Sequence, residues 1–329
     1  MRRGNGAPYC IGNSLQEVFE TQEGHIVGKN QQLHMLNELD AALEHLPISS
    51  IPAVNVASVP QRSPLRYPGG KTWLVPHVRA WLSGLMPKPE LLVEPFAGGA
   101  IVSLTAIMEG WVDRCLMSEI DPDVAAFWQA TLMHSDELIE RVRSFVPTRE
   151  NIFQLEHGTR SDVVSHGFRT LVLNRTRRGG ILAHGASLTR EGEAGKGVSS
   201  RWYPDTISRR IRDIAKFSHR IEFCQADGMR ILEQLSVSHD LPTAIFADPP
   251  YTAAGKGAGK RLYNHNVVEH PRLFEFLARH ESDFLMTYDQ SPEIIALARM
   301  YGFHAKRVNM KNTHHAKVWE LLITRREVF

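Results

Sequence analysis

From Leu65 onward, apolar and polar positions group into short alternating blocks. Six apolar runs read as strands: LLVE (91–94), CLMS (115–118), IEF (221–223), AIFA (244–247), DFLMT (283–287) and KVWELLI (317–323). Between most of them apolar residues recur at helical spacing, in IVSLTAIMEG (101–110), DVAAFWQATL (123–132), GMRILEQL (228–235), HPRLFEFLAR (270–279) and PEIIALARMYG (292–302). Strands alternating with helices predict an α/β fold, a mainly parallel sheet covered on both faces. Ligands of such sheets sit beyond the carboxyl ends of the strands.

Two regions break the rhythm. From about 130 to 215 the chain is helical and rich in arginine, with LNRTRRGGILAHGASLTREGEAGKG (173–197) in its middle, and reads as an insertion. Residues 1–62 stand apart as an N-terminal extension, leaving 63–329 as the main domain. Within the extension Leu33, Leu36, Leu39, Leu43 and Leu46 fall on one helical stripe. That stripe suits a helix packed on its own protein, or alternatively a dimerisation helix. PISSIPAVNVASVPQRSP (47–64) then reads as an extended linker.

Composition narrows the class. At 329 residues, 43% hydrophobic and 22% charged, the chain is an ordinary globular protein of one large domain with an insertion, or of two domains. No apolar run approaches the roughly 18 residues that span a bilayer, and the N-terminus lacks a signal-peptide core, so a cytoplasmic protein off the membrane is expected. The three cysteines are far apart with no CxxC pair, and the 16 histidines include no HExxH, so no metal site is expected. The net charge of +2 does not demand a nucleic-acid partner, although basic residues can cluster locally.

The candidate chemistry lies at strand ends. LLVEPFAGGA (91–100) is a strand ending in Glu94, then a turn in which Gly98 and Gly99 permit close approach of a ligand, then a helix start. The second strand ends in Glu119, placed to hydrogen-bond a ribose diol, with Asp121 as competitor for that role. The third ends in QAD (225–227), where Asp227 either reaches an adenine amino group or caps the next helix. The fourth runs into Asp248-Pro249-Pro250-Tyr251, which cannot extend a sheet. Two prolines stiffen this turn and leave carbonyls without a local donor, so a carboxylate and a fixed carbonyl form two acceptors that suit an exocyclic amino group. The tyrosine offers a face for stacking a planar base. PLRYPGGKT and AGKGAGKR mimic phosphate loops, but Leu65 and Ala254 stand where the first glycine belongs.

Taken in order, LRYPGGKTWLVPHV, VEPFAGGA, SEID, LNRTRRGG and DPPY resemble the motifs of the Dam-type, S-adenosylmethionine-dependent DNA adenine-N6 methyltransferases, over roughly Leu65 to Thr324. The resemblance implies a Rossmann-like class I methyltransferase sheet with a helical target-recognition insertion, and S-adenosylmethionine as cofactor. It implies cofactor contacts from Tyr67, Gly70, Lys71, Glu94, Pro95, Phe96, Gly98, Glu119, Gln225, Asp227 and Asp248. It also implies catalysis at Asp248, Pro249, Pro250 and Tyr251, with the adenine flipped from duplex DNA, since N6 is out of reach in the stack. Asn174, Arg175, Arg177, Arg178, Lys256 and Lys260 are the expected DNA contacts. Arg175 is expected to be structural or phosphate-facing, and one of Arg177 or Arg178 to read the duplex or wedge into it. The chain departs from the family pattern in ending its cofactor loop Gly-Gly-Ala and in Thr-Arg-Arg-Gly-Gly after the asparagine-arginine pair. The expected partners are double-stranded DNA and a cognate restriction nuclease, for a monomer or weak dimer. An RNA or protein amide methyltransferase, and a silent DNA-binding module on the same fold, are the alternatives.

Overall fold

The computed structural model describes residues 43–66, 69–183, 185–238, 241–250, 268–311 and 317–329. Tyr67, Tyr251, Lys256, Lys260 and the first three leucines of the stripe lie outside the described residues. Seven strands form one sheet: β1 (Leu91–Glu94), β2 (Arg114–Glu119), β3 (Ile221–Gln225), β4 (Thr243–Ala247), β5 (Asp283–Asp289), β6 (His304–Lys311) and β7 (Lys317–Thr324). Their spatial order is β3-β2-β1-β4-β5-β7-β6. The first five are parallel, and β7 runs antiparallel between β5 and β6. From β1 the chain works outward through β2 and β3, then restarts on the other side with β4. The switch point, where a crevice opens beyond the strand ends, therefore lies between β1 and β4.

The strands read as unbroken apolar runs because both faces are buried, and side chains alternate between two cores. Leu92, Ala244, Phe246, Leu285 and Leu322 face one core, with α1 (Val75–Ser83), α2 (Ile101–Met108) and α3 (Pro122–Met133). Val93, Ile245, Phe284, Met286 and Ile323 face the other. That second core is closed by residues of α8 (Gly228–Ser238), α9 (His270–Arg279) and α10 (Pro292–Met300). Between β2 and β3 the chain forms α4 (Ser135–Ser144), α5 (Arg149–His157), α6 (Val163–Thr176) and α7 (Pro204–Ala215). These helices join the first core. At Gly167 on α6 a Cβ would lie 2.7 Å from the Ala126 carbonyl oxygen, so a glycine lets α6 press directly on α3. Among the described residues no helix is long and apolar enough to cross a membrane.

Two sequence expectations need correcting. Strand β6, HAKRVNMK, was not among the expected strands; its lysines and arginine suit an edge position and hide its alternation. The stretch expected to run as an extended linker lies along the body instead. Ile48 bridges to Arg307, whose N–H donates to the Pro47 carbonyl and whose carbonyl accepts from the Ser49 N–H, both at 2.9 Å. This segment covers the β6 edge. Farther on, Val59 is buried in the first core, and Arg62 pairs with Glu109 at 2.7 Å.

Candidate active site

Beyond the carboxyl ends of β1, β2 and β4 opens a cavity of about 680 Å³, lined among others by Glu94, Pro95, Phe96, Gly98, Glu119, Asp227, Asp248, Pro249 and Pro250. Its size is in the range of small-molecule and cofactor sites. Glu94 ends β1 and is 3% exposed; Oε2 accepts the Ser103 N–H at 2.8 Å, in the first turn of α2. Burial pushes its carboxyl up to about 8. Glu119 ends β2. Its Oε2 accepts the Gly98 N–H and its Oε1 the Asp121 N–H, each at 3.0 Å, and burial raises it to about 7. A carboxylate oxygen has two lone-pair directions, so each of these keeps acceptor capacity toward the cavity. The competitor Asp121 has another task. Its Oδ1 accepts the Asp123 N–H at 2.8 Å and caps α3.

The glycine-rich turn is held from both sides. Gly98 has φ +46°, its N–H bonds Glu119, and its carbonyl accepts the Trp128 indole N–H at 2.8 Å. The Pro95 carbonyl accepts the Ser118 hydroxyl at 2.8 Å. At Gly228, which opens α8, a Cβ would lie 2.3 Å from that carbonyl, so this glycine is needed where α8 docks on the turn. Asp227 both lines the cavity and accepts the Met229 N–H at 2.8 Å, so the cap and the ligand-facing reading coexist. Gln225 ends β3 exposed and is not among the cavity-lining residues.

Asp248 leaves β4 into this cavity with its carboxylate fixed. Oδ1 accepts the Thr287 hydroxyl at 2.7 Å and lies 3.0 Å from Lys71 Nζ. Lys71, 4% exposed, also donates to the Gly69 carbonyl at 3.0 Å and lies 3.6 Å from Glu320 Oε2. The Gly-Gly-Lys segment, more than a hundred residues from DPPY in sequence, thus delivers its cation to the DPPY acid; Gly70 lines the same cavity. Glu320, in the middle of β7, is raised to about 7, chiefly by burial, with Lys71 acting in the opposite direction. Burial also raises Asp289 at the end of β5. The sequence reading missed Thr287 and Glu320. A charged residue inside the buried run KVWELLI was the available signal for Glu320; a threonine in a strand gives none.

The asparagine-arginine segment divides by burial. Asn174 is fully buried: Oδ1 accepts the Arg66 N–H at 2.7 Å, and Nδ2 donates to the carbonyls of Arg66 at 3.0 Å and Gly180 at 2.8 Å. It ties the segment before the Gly-Gly-Lys turn to the end of α6. Gly180, φ +76°, presses on the Arg66 carbonyl, where a Cβ would come within 2.1 Å. Arg175 donates to the Pro64 carbonyl from a buried position. Arg177, also buried, bonds Glu156 at 2.5 Å and the Leu182 carbonyl at 3.0 Å. Asn174 and Arg177, expected to touch DNA, are thus engaged inside the protein, and the close approach expected at the glycines is to the chain itself. Arg178 is exposed.

Residues 67–176 match the family model described as D12 class N6 adenine-specific DNA methyltransferase. The chain is similar to that class over this segment, about a third of its length. Similar curated proteins are the DNA adenine methylases of Salmonella typhi, 26% identical over 214 residues, and of Escherichia coli strain K12, 25% identical over 214. Each alignment covers 62% of this chain and 70% of the relative. Among solved structures, the rRNA methyltransferase aviRa of Streptomyces viridochromogenes covers 88% of this chain and 92% of its own at 13% identity, with a TM-score of 0.38. The cofactor of the D12 class is S-adenosylmethionine. The matched segment runs from the Gly-Gly-Lys turn through the Glu94 and Glu119 strand ends to Asn174-Arg175, and so includes Lys71, Glu94 and Glu119 but not Asp248, Thr287 or Glu320.

Proposed function

We propose that this chain methylates adenine N6 at a specific site in duplex DNA, with the target base flipped out to the Asp248 turn. The observation that carries the reading is the Lys71–Asp248–Thr287 arrangement at the switch point, sharing one cavity with Glu119 on the strand beyond β1. The donor set suits the cofactor. Buried carboxyls at Glu94 and Glu119, both raised by burial, favour a ligand that brings hydrogen-bond donors and positive charge. Glu119 would accept from the ribose hydroxyls, Asp227 from the adenine amino group, and the turn at Pro95, Phe96 and Gly98 would pack against the nucleoside. When bound, S-adenosylmethionine supplies an electrophilic methyl group on a sulfonium.

The remaining work falls to the chain's own residues. Adenine N6 is a poor nucleophile because its lone pair is delocalised into the ring. Asp248 accepts one N6–H and the Pro249 carbonyl the other, which draws the lone pair out of conjugation and aims it. Lys71 and Thr287 hold Oδ1, so the carboxylate meets the base in a fixed orientation. Most of the rate comes from positioning and electrostatics. The N6 proton becomes acidic as the new bond forms, so Asp248 need not be a strong base. Tyr251 stacks on the base and Tyr67 closes over the cofactor. The helices between β2 and β3 act as the target-recognition part, and Arg178, which is exposed, joins Lys256 and Lys260 as the DNA contacts. A monomer or weak dimer, acting in the cytoplasm beside a cognate restriction nuclease, completes the reading. Transfer of labelled methyl groups to duplex DNA, RNA and protein in parallel tests it: label in DNA alone supports it, and label in RNA or protein alone overturns it.

A further inference from the structure

The cavity has walls of opposite charge. The strand ends contribute carboxyls, whereas Arg66, Arg175, Arg201 and Arg210 line it from the segment before the Gly-Gly-Lys turn, the end of α6, the turn leading into α7, and α7 itself. Arg175 is 5% exposed, and its buried Nε has no hydrogen-bond partner. Arg210 donates to the Ser63 carbonyl at 2.9 Å, one residue from the Pro64 carbonyl that Arg175 bonds. Burial, and then the charges of Arg210, Arg66 and Arg201, push the Arg175 guanidinium down to about 9. Guanidinium groups gathered in one partly desolvated cavity repel one another, and an entering anion relieves that repulsion. Their planar forks match phosphate oxygens.

We propose that Arg66, Arg175, Arg201 and Arg210 form a phosphodiester-binding wall that grips the DNA backbone beside the flipped adenine. The assignment rests on the proposed DNA methylation. The cofactor's carboxylate is the other anion at hand, but it carries one charge for four guanidiniums. Placement also favours DNA. Arg201 and Arg210 ride on the same inserted segment as exposed Arg178, beside Tyr203, which is 43% exposed, so the wall continues to a surface where a strand can enter.

The test measures duplex affinity by fluorescence anisotropy across a range of salt, and cofactor affinity by calorimetry. It compares the unaltered enzyme with Arg201→Gln, Arg210→Gln and Arg201→Lys, with melting curves to establish folding. Each glutamine variant should weaken duplex binding about tenfold and lower the log–log salt slope by about one. Cofactor affinity should stay within about twofold of the parent. Arg201→Lys should restore the slope but not the full affinity, because an ammonium keeps the charge and loses the fork. A fall in cofactor affinity with an unchanged salt slope would mean that the wall holds the cofactor carboxylate, and would overturn the proposal. So would folded variants that match the parent in both assays. Should the glutamine variants fail to fold, competition on the unaltered enzyme decides: inorganic pyrophosphate should displace duplex but not cofactor, and failure to displace duplex rejects the wall. Methyl transfer to DNA by the same unaltered preparation separates the two ideas. Without it the functional reading fails in the parent enzyme; with it, only the arginine assignment is at risk.

Discussion

At the scale of single residues, the site depends on one buried cation shared between two acids. Lys71 lies 3.0 Å from Asp248 and 3.6 Å from Glu320, and Asp248 in turn raises the Glu320 carboxyl. Removing the cation favours the protonated form of Glu320, which Lys71 holds down against burial. Lys71→Met should therefore raise the Glu320 carboxyl further, read as a move to higher pH in the NMR titration of its labelled side-chain carbon. A Glu320 titration that stays put or moves to lower pH in Lys71→Met would contradict this coupling. Asn174 is a second such residue. Asn174→Ala would leave an N–H and two carbonyls without their bonds, and should cost about 3 kcal/mol in urea unfolding. Composition showed none of this. DPPY and Gly-Gly-Lys were legible as motifs, but that the lysine reaches the aspartate depends on folding across more than a hundred residues. Asn174 looked like a DNA contact because sequence cannot separate a buried polar clamp from an exposed one.

At the scale of elements, the buried parallel strands were legible because they carry continuous apolar runs, and Glu94, Glu119 and Asp248 at their ends line the cavity. The edge was not. In β6, Lys306, Arg307 and Lys311 interrupt the apolar positions, and the proline-rich segment that covers this edge has no strand signature. Edge protection is a property of the partner rather than of the strand's own pattern. The consequence concerns truncation. A chain beginning at Gln61 loses two backbone hydrogen bonds to Arg307 and the burial of Val59. It should be about 2–4 kcal/mol less stable than one beginning at Leu43. Urea midpoints of the two chains check this, and equal midpoints would show that the segment adds nothing.

At the scale of the whole molecule, the sheet order puts a row of acids at one crevice, and the fold bears the cost of burying them. Glu94 is pushed to about 8, and Glu119 and Glu320 to about 7. In the unfolded chain such carboxyls lose their protons near pH 4.5. Between that value and the folded values the native state holds more protons, so their contribution is fully present below about pH 4.5 and is lost as pH rises through 7–8. The cofactor-free protein should melt at progressively lower temperature from pH 5 to pH 8, and saturating cofactor, by donating to Glu119, should flatten the fall. A melting temperature that rises across this range would contradict the buried-acid account. The central claim is that adenine N6 receives its methyl group at the Asp248 turn. The most direct test incubates duplex DNA and labelled S-adenosylmethionine with the unaltered enzyme and with Asp248→Ala, followed by digestion to nucleosides. The account predicts N6-methyladenine from the unaltered enzyme and none from the variant, whose cofactor affinity stays within about tenfold, or roughly 1.4 kcal/mol. Label on another base, or undiminished N6-methyladenine from Asp248→Ala, would contradict it.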